Sequence, residues 1–219
     1  MAKNCFILFL ISTSLFFQNV SAQDSATILK PVYIKLAAVY DFPESFGAAA
    51  GVDFPLHHTL KTRHQPNKLV KTKYKDLVLS NNLSFYHNPS NYSALMITSF
   101  ISERHLYVNG LYFENGLGLG AMRTFYEGKV YTVDESNNVE ESNTFGRYYG
   151  TVNAALILGY DFEKHDPRKT FAVQLQPSFW IQYPYNSSVL PHGSLELGIK
   201  YHFKKWNVHA KQLYKEAGK

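Results

Sequence analysis

Cysteine is almost missing from this chain. Cys5 is the only one in 219 residues, and no later stretch approaches the ~20 consecutive apolar residues that a membrane-spanning helix requires. A disulfide framework and a helical membrane protein are therefore both excluded. Charge of one sign is not in large excess either. The 22 Lys and Arg against 17 Asp and Glu leave +5, a modest basic balance that suits anionic surfaces but lacks the clustered excess of a nucleic-acid binder. Tryptophan is confined to Trp180 and Trp206, whereas Tyr and Phe occur sixteen times each, and aromatic and β-branched residues are what strands favour.

The first 22 residues have a basic start at Lys3, an apolar run from Cys5 to Phe17, and Val20, Ser21 and Ala22 before Gln23. This is the pattern of a cleaved secretory signal. Its removal takes Cys5 with it, leaving neither a disulfide nor a lipidated amino-terminal cysteine. The chain divides into a signal peptide over 1–22, one domain over 23–203 and a basic C-terminal tail over 204–219.

Within the domain the dominant pattern has period two. Phe171, Val173, Leu175, Phe179, Ile181 and Tyr183 alternate with Gln174, Gln176, Ser178 and Gln182; Leu195, Leu197, Ile199, Tyr201 and Phe203 alternate with Glu196, Gly198, Lys200 and His202. Successive side chains of a strand point to opposite faces, so each strand has one apolar and one polar face. About eight such strands are expected: Pro31 to Tyr40, Phe46 to Leu56 with an extension toward Leu60, Lys68 to Tyr86, Tyr92 to Ile101, His105 to Tyr126, Tyr148 to Phe162, and two more on either side of a Pro184 to Pro191 turn. Turns are expected at Asp41 to Ser45, around Pro66, at His87 to Asn91, at Ser102 to Arg104 and at Glu163 to Arg168, with a long polar loop around Val133 to Asn143. No helical interval separates the strands. The fold class is therefore all-β, a single eight-stranded antiparallel up-and-down transmembrane β-barrel, whose closure removes exposed edges and whose strands exceed the ~9 to 11 residues needed to cross a bilayer. Short turns belong on the periplasmic side of such barrels. If both termini are periplasmic, the turns near 61–67, 102–104 and 163–168 lie inside and the loop bearing Asp134, Glu135, Glu140 and Glu141 lies outside, with the 41–45 and 87–91 turns as unusually short external loops.

The runs FYHNPSN at Phe85 to Asn91, GLGLGAMRTFYEGKVYTVDE at Gly116 to Glu135 and QYPYNSSVLPHGSLELGIKYHF at Gln182 to Phe203 resemble a group of uncharacterised small outer-membrane β-barrel proteins of Gram-negative bacteria. The resemblance implies the fold and an outer-membrane location, with no catalytic residues to carry over. One departure stands out: many such barrels end on an aromatic residue of the last strand, and Phe203 would fill that role with residues 204–219 still to follow.

Candidate sites follow from the same alternation. If the apolar faces meet lipid, Lys35, Glu114, Asp161, Gln174, Gln176, Glu196, Lys200 and His202 face the lumen, with Asn82, Ser84, Asn153 and Gln182 beside them. They would form a hydrogen-bonded, charge-balanced filling, or else a narrow ligand pocket. Lys61, Arg63, Lys68, Lys71, Lys73 and Lys75 form either a solvated turn or a patch for lipid phosphates, so the expected partners are outer-membrane lipids and not nucleic acid. His87 and Ser90 resemble the His and Ser of outer-membrane lipid A deacylases, at a wider spacing than that family's His-x-Ser and with no assignable acid. The HNPSN run is also ordinary turn chemistry. Gly116, Gly118 and Ala121 match a degenerate dinucleotide pattern, yet no helix is expected after them, and glycines on one strand face serve to admit bulky neighbours. No local set of ligands defines a metal site, His57 and His58 point to opposite faces, and nothing requires a cofactor.

The expected function is a non-enzymatic outer-membrane barrel with a packed polar lumen and a role in envelope structure or surface interaction. Two alternatives remain: a lipid-modifying hydrolase of the outer membrane, and a secreted soluble barrel that binds a small apolar ligand. The last requires the apolar faces of the Phe171 and Leu195 strands to point inward.

Overall fold

A computed structural model describes residues 25–65, 68–89, 92–126, 130–133, 139–142, 146–185 and 188–215. Ten strands follow in order: β1 Ser25–Asp41, β2 Ser45–Gln65, β3 Lys68–Asn88, β4 Tyr92–Leu106, β5 Leu111–Tyr126, β6 Val130–Val133, β7 Val139–Ser142, β8 Tyr148–Asp161, β9 Phe171–Tyr185 and β10 Ser188–Lys215. Eight of them form a closed ring in which each pairs antiparallel with its neighbour, and β10 returns to β1. Strands β6 and β7 form a separate hairpin within the long β5–β8 connection. This is the expected eight-stranded barrel.

The wall is turned inside out relative to a protein in water. On β10, Leu197 is 65% exposed while Lys200 is 1% exposed. On β5, Leu117 is 70% exposed while Glu114 is fully buried. An exposed apolar band of this extent far exceeds the few hundred Å² that a soluble monomer tolerates, and a lipid-facing barrel wall accounts for it. The band has two aromatic girdles. Phe42, Phe46, Phe85, Tyr148 and Tyr183 lie outward near the end that carries the long connection, and Tyr107, Phe171, Tyr201, Phe203 and Trp206 lie outward near the end that carries the termini. Between Phe171 and Tyr183 on β9, roughly twelve steps of ~3.3 Å at a tilt of ~40° cover about 30 Å, a bilayer core. The soluble-barrel alternative is thereby overturned, since the apolar residues of β9 and β10 that it needs inside are outside.

One expected turn is misplaced. Ser102 to Arg104 lies within β4, and the chain reverses instead at Tyr107–Gly110. There the Gly110 N–H donates to the Tyr107 carbonyl (3.1 Å), and Asn109 Oδ1 accepts from the Leu111 N–H (3.3 Å). Gly110 has φ +88°, which glycine adopts without strain, and a Cβ there would lie 2.6 Å from the Asp161 carbonyl oxygen. Asn-Gly is the stronger turn signal. Ser102 and Arg104 are polar because they face the lumen.

The chain also stays in the sheet beyond Phe203. A register shift between Val32 and Tyr33 skips Phe203, after which β1 and β10 continue as a ribbon pairing residues 25–32 with 204–211. The other edge of β10 then meets β2 in parallel, from His209 opposite His57 to Lys215 opposite Arg63. Val32 and Val208 are buried along this ribbon, and Lys30 reaches Asp76 of β3 at 3.2 Å.

Single cysteines report which face meets lipid. In otherwise cysteine-free protein in membranes, a probe at Leu197→Cys is expected to be quenched from the lipid phase, and one at Lys200→Cys is not. Free aqueous labelling at 200 with lipid shielding at 197 would contradict the membrane barrel.

Candidate functional site

The lumen is organised in three levels, and the middle level is ionic. Four strands each send one charged side chain to the same point: Asp53 from β2, Arg104 from β4, Glu114 from β5 and Lys200 from β10. Lys200 Nζ lies 2.6 Å from Asp53 Oδ2 and 4.0 Å from Glu114 Oε2. Arg104 donates through Nε to Glu114 (2.7 Å) and through a terminal nitrogen to Asp53 (3.2 Å). Ser102 donates to the other Glu114 oxygen, and the rings of Tyr33 and Tyr112 lie 5.2 and 5.1 Å from the guanidinium carbon. Beside this quartet Lys35 pairs with Glu196 at 2.9 Å. Positive and negative charges balance in both groups. Desolvation of each ion costs several kcal/mol, so only mutual pairing with nearly complete hydrogen bonding makes the arrangement tolerable. The void left among Lys35, Asp53, Asn82, Glu114, Gln176 and Lys200 is about 10 Å³, no more than one water requires.

Toward the long connection the lumen is closed by rings. Trp180 stacks on His192 with centroids 3.7 Å apart, and Tyr86, Ala94, Met122 and Tyr149 pack into the same buried cluster. His192 bridges Asp41 (3.4 Å) and Gln182 (3.2 Å). Gln174 donates to Gln176 at 3.3 Å, and Gln176 to Ser178 at the same distance, in a ladder along β9. Toward the termini the lumen widens into a cavity of about 380 Å³ lined by Tyr33, Asp76, Arg104, Tyr112, Asp161 and Lys205, among others. His58 contacts Asp76 there, and His202 approaches Asp161 at 3.8 Å.

Every lumen residue read from the alternation therefore has its side chain within the barrel, His202 at the half-open mouth and the rest buried. The alternation reading missed Asp53 and Arg104. Asp53 is in frame with Gly51 and Ala49, a face too small to register as polar, and Arg104 was assigned to a turn. Gly118 faces inward as well, where a Cβ would meet the Phe100 ring at 2.8 Å. No helix follows it, which removes the dinucleotide pattern. His58 points inward and is buried, while its neighbour His57 is only half-buried.

Outside the lumen, Ser90 lies outside the described residues. His87 has Ser93 as its cross-strand neighbour, with Nδ1 and Oγ 3.1 Å apart on the outward side of the wall near the long connection. Among the basic residues, Lys73 is exposed and Lys75 contacts Glu103. The side chains of Lys61, Arg63, Lys68 and Lys71 lie outside the described residues, although the register sets Lys61 opposite Lys73 and Arg63 opposite Lys71. No described helix is long and apolar enough to cross a membrane, which says nothing of strands.

No protein-family model and no curated relative matches the chain. Solved structures do. Neisserial surface protein A matches at a TM-score of 0.50 and 12% identity, over 80% of this chain and 99% of that one. The outer membrane enzyme PagL matches at 0.40 and 8%, over 78% and 99%, and the N-terminal β-barrel domain of Pseudomonas aeruginosa OprF at 0.39 and 14%, over 83% and 100%. At these identities the likeness to the first concerns the fold alone.

Removing one member of the ionic quartet strands its partners in the lumen. Arg104→Met is expected to lower the unfolding free energy, measured by urea titration in phospholipid vesicles, by about 3–5 kcal/mol. Replacing Lys35 and Glu196 together by apolar residues of similar volume should be nearly neutral. A loss under about 1 kcal/mol for Arg104→Met would mean that water enters and solvates the lumen.

Proposed function

We propose that the chain is a non-enzymatic outer-membrane barrel of a Gram-negative bacterium, serving envelope structure or surface interaction and not solute passage. The observation that carries this reading is the lumen, filled by the ionic quartet at its middle and by the Trp180 and His192 stack at one end. An eight-stranded barrel is only wide enough to be filled by its own side chains, and these side chains fill it except at the end where the 380 Å³ cavity opens. The outward apolar band with its girdles and the secretory signal read over residues 1–22 support the location. The short connections near Pro66, at Tyr107–Gly110 and at 162–170 share one end with both termini, in keeping with a periplasmic assignment. The 127–147 connection would then be the surface-exposed element, and the Lys61 to Lys75 cations would meet the phosphates of the periplasmic leaflet, each worth about 1 kcal/mol near an anionic surface.

Single-channel recording in planar bilayers tests the closed lumen. Correctly folded protein is expected to give no steady ohmic conductance, and a stable open level would contradict the reading.

A second reading rests on one contact. The His87 Nδ1 to Ser93 Oγ separation of 3.1 Å is the base–nucleophile distance of acyl transfer, and it sits on the lipid-facing side beside the exposed Phe85. It makes the barrel a hydrolase of lipid esters. Release of fatty acid from outer-membrane lipid, abolished by Ser93→Ala and by His87→Ala in folded protein, is its expected signature. Equal release from wild type and Ser93→Ala would remove it.

A further inference from the structure

We propose that Asp161, Glu163 and His202 form a binding site for a divalent first-row transition-metal ion, of which Zn²⁺ is the type, at the mouth of the barrel. One ligand atom from each residue lies within 4.8 Å of the others. His202 Nδ1 is 2.7 Å from Glu163 Oε2, and its Nε2 is 3.8 Å from Asp161 Oδ1. The His202 side chain is 9% exposed, and its Nε2 is buried without a hydrogen-bond partner while directed at a carboxylate. A buried ring nitrogen normally has a partner, and a metal ion supplies one.

Asp161 and His202 are held by groups outside the cluster. Asp161 ends β8 and caps the short 3-10 helix Phe162–Lys164, its Oδ1 accepting the Glu163 N–H at 3.1 Å. Its Oδ2 accepts from the Tyr33 hydroxyl at 3.3 Å. The His202 N–H donates to the Thr170 carbonyl at 2.9 Å, and the edge-on Tyr33 ring packs against the imidazole at 4.5 Å. The strand irregularity beside His202, where Phe203 is skipped, is the kind that re-aims a side chain at a barrel rim. Ligands around an ion with bonds of ~2.0–2.1 Å stand about 3.3 Å apart. Asp161 already faces Nε2, whereas Glu163 contacts Nδ1 on another edge of the ring, so loading at Nε2 requires the half-buried Glu163 carboxylate to leave Nδ1 and swing toward Asp161.

The donor set selects the ion. One imidazole and two carboxylates suit Zn²⁺, Co²⁺ or Ni²⁺, whereas Ca²⁺ and Mg²⁺ prefer oxygen alone. Two carboxylates neutralise the ion, and Asp161 and Glu163 open onto the 380 Å³ cavity, from which water completes a tetrahedron. Lys30, Lys164 and Lys205 line the same cavity, so affinity comes from ligation and not from the surrounding field. The site does not depend on whether the barrel is enzymatic.

Cobalt substitution tests the assignment on tag-free protein folded in detergent, with heat-dependent electrophoretic mobility as the check on folding. One Co²⁺ per chain, a visible tetrahedral spectrum and displacement by one Zn²⁺ are expected. His202→Ala and Glu163→Gln should each weaken binding about tenfold or more, as should Asp161→Asn, while His58→Ala and His105→Ala leave it unchanged. Glu163→Gln lies on a turn and keeps the test interpretable if a strand variant fails to fold. Absence of saturable binding, or binding indifferent to all three ligand variants, overturns the proposal.

Discussion

A polar side chain on the wall of an eight-stranded barrel in lipid has one place to go, a lumen about as wide as side chains are long. The rest of this structure depends on that constraint. Because the lumen is narrow, charges from four strands converge on one point, and because it is nearly dry, they must neutralise one another there. Asp53, Arg104, Glu114 and Lys200 do this across the barrel, tying β2, β4, β5 and β10 to a common centre. The hydrogen-bonded wall closes the backbone, and the quartet cross-braces the side chains within it.

The two ends of the lumen differ, and the difference separates their possible roles. At the end with the long connection, Trp180 stacks on His192, and Tyr86 and Met122 pack against Trp180 in one buried cluster. At the other end the ribbon formed by residues 25–32 and 204–211 leads β10 to β2 beside the 380 Å³ cavity with its ionisable walls. This difference directs the search for a small ligand, such as a metal ion, to the end that carries the cavity.

Much of the site was visible in the alternation. Lys35, Glu114, Gln174, Gln176, Glu196 and Lys200 were assigned to the lumen because each sits in the polar frame of a strand with a continuous apolar frame beside it. Arg104 escaped because Ser102, Glu103 and Arg104 together look like a polar turn, although only Glu103 faces outward. Asp53 escaped because its neighbours in frame are Gly51 and Ala49. The placing of Ser93 opposite His87 follows from register, which a turn-centred reading cannot supply.

The sequence by itself determined what is local: period two along each strand, the apolar face that must meet lipid, the polar face that must not, and most of the reversals. These depend on residues one or two positions apart, and the pleat of a strand converts that spacing directly into direction. Only the tertiary structure decided which charges meet. Glu114 and Lys200 are far apart in the chain, as are Asp161 and His202, and their approach depends on the closure of β10 against β1 and on the irregularity at Phe203. Register is a property of pairs of strands, and a slip of one residue would turn every polar side chain toward lipid. No single strand carries that information.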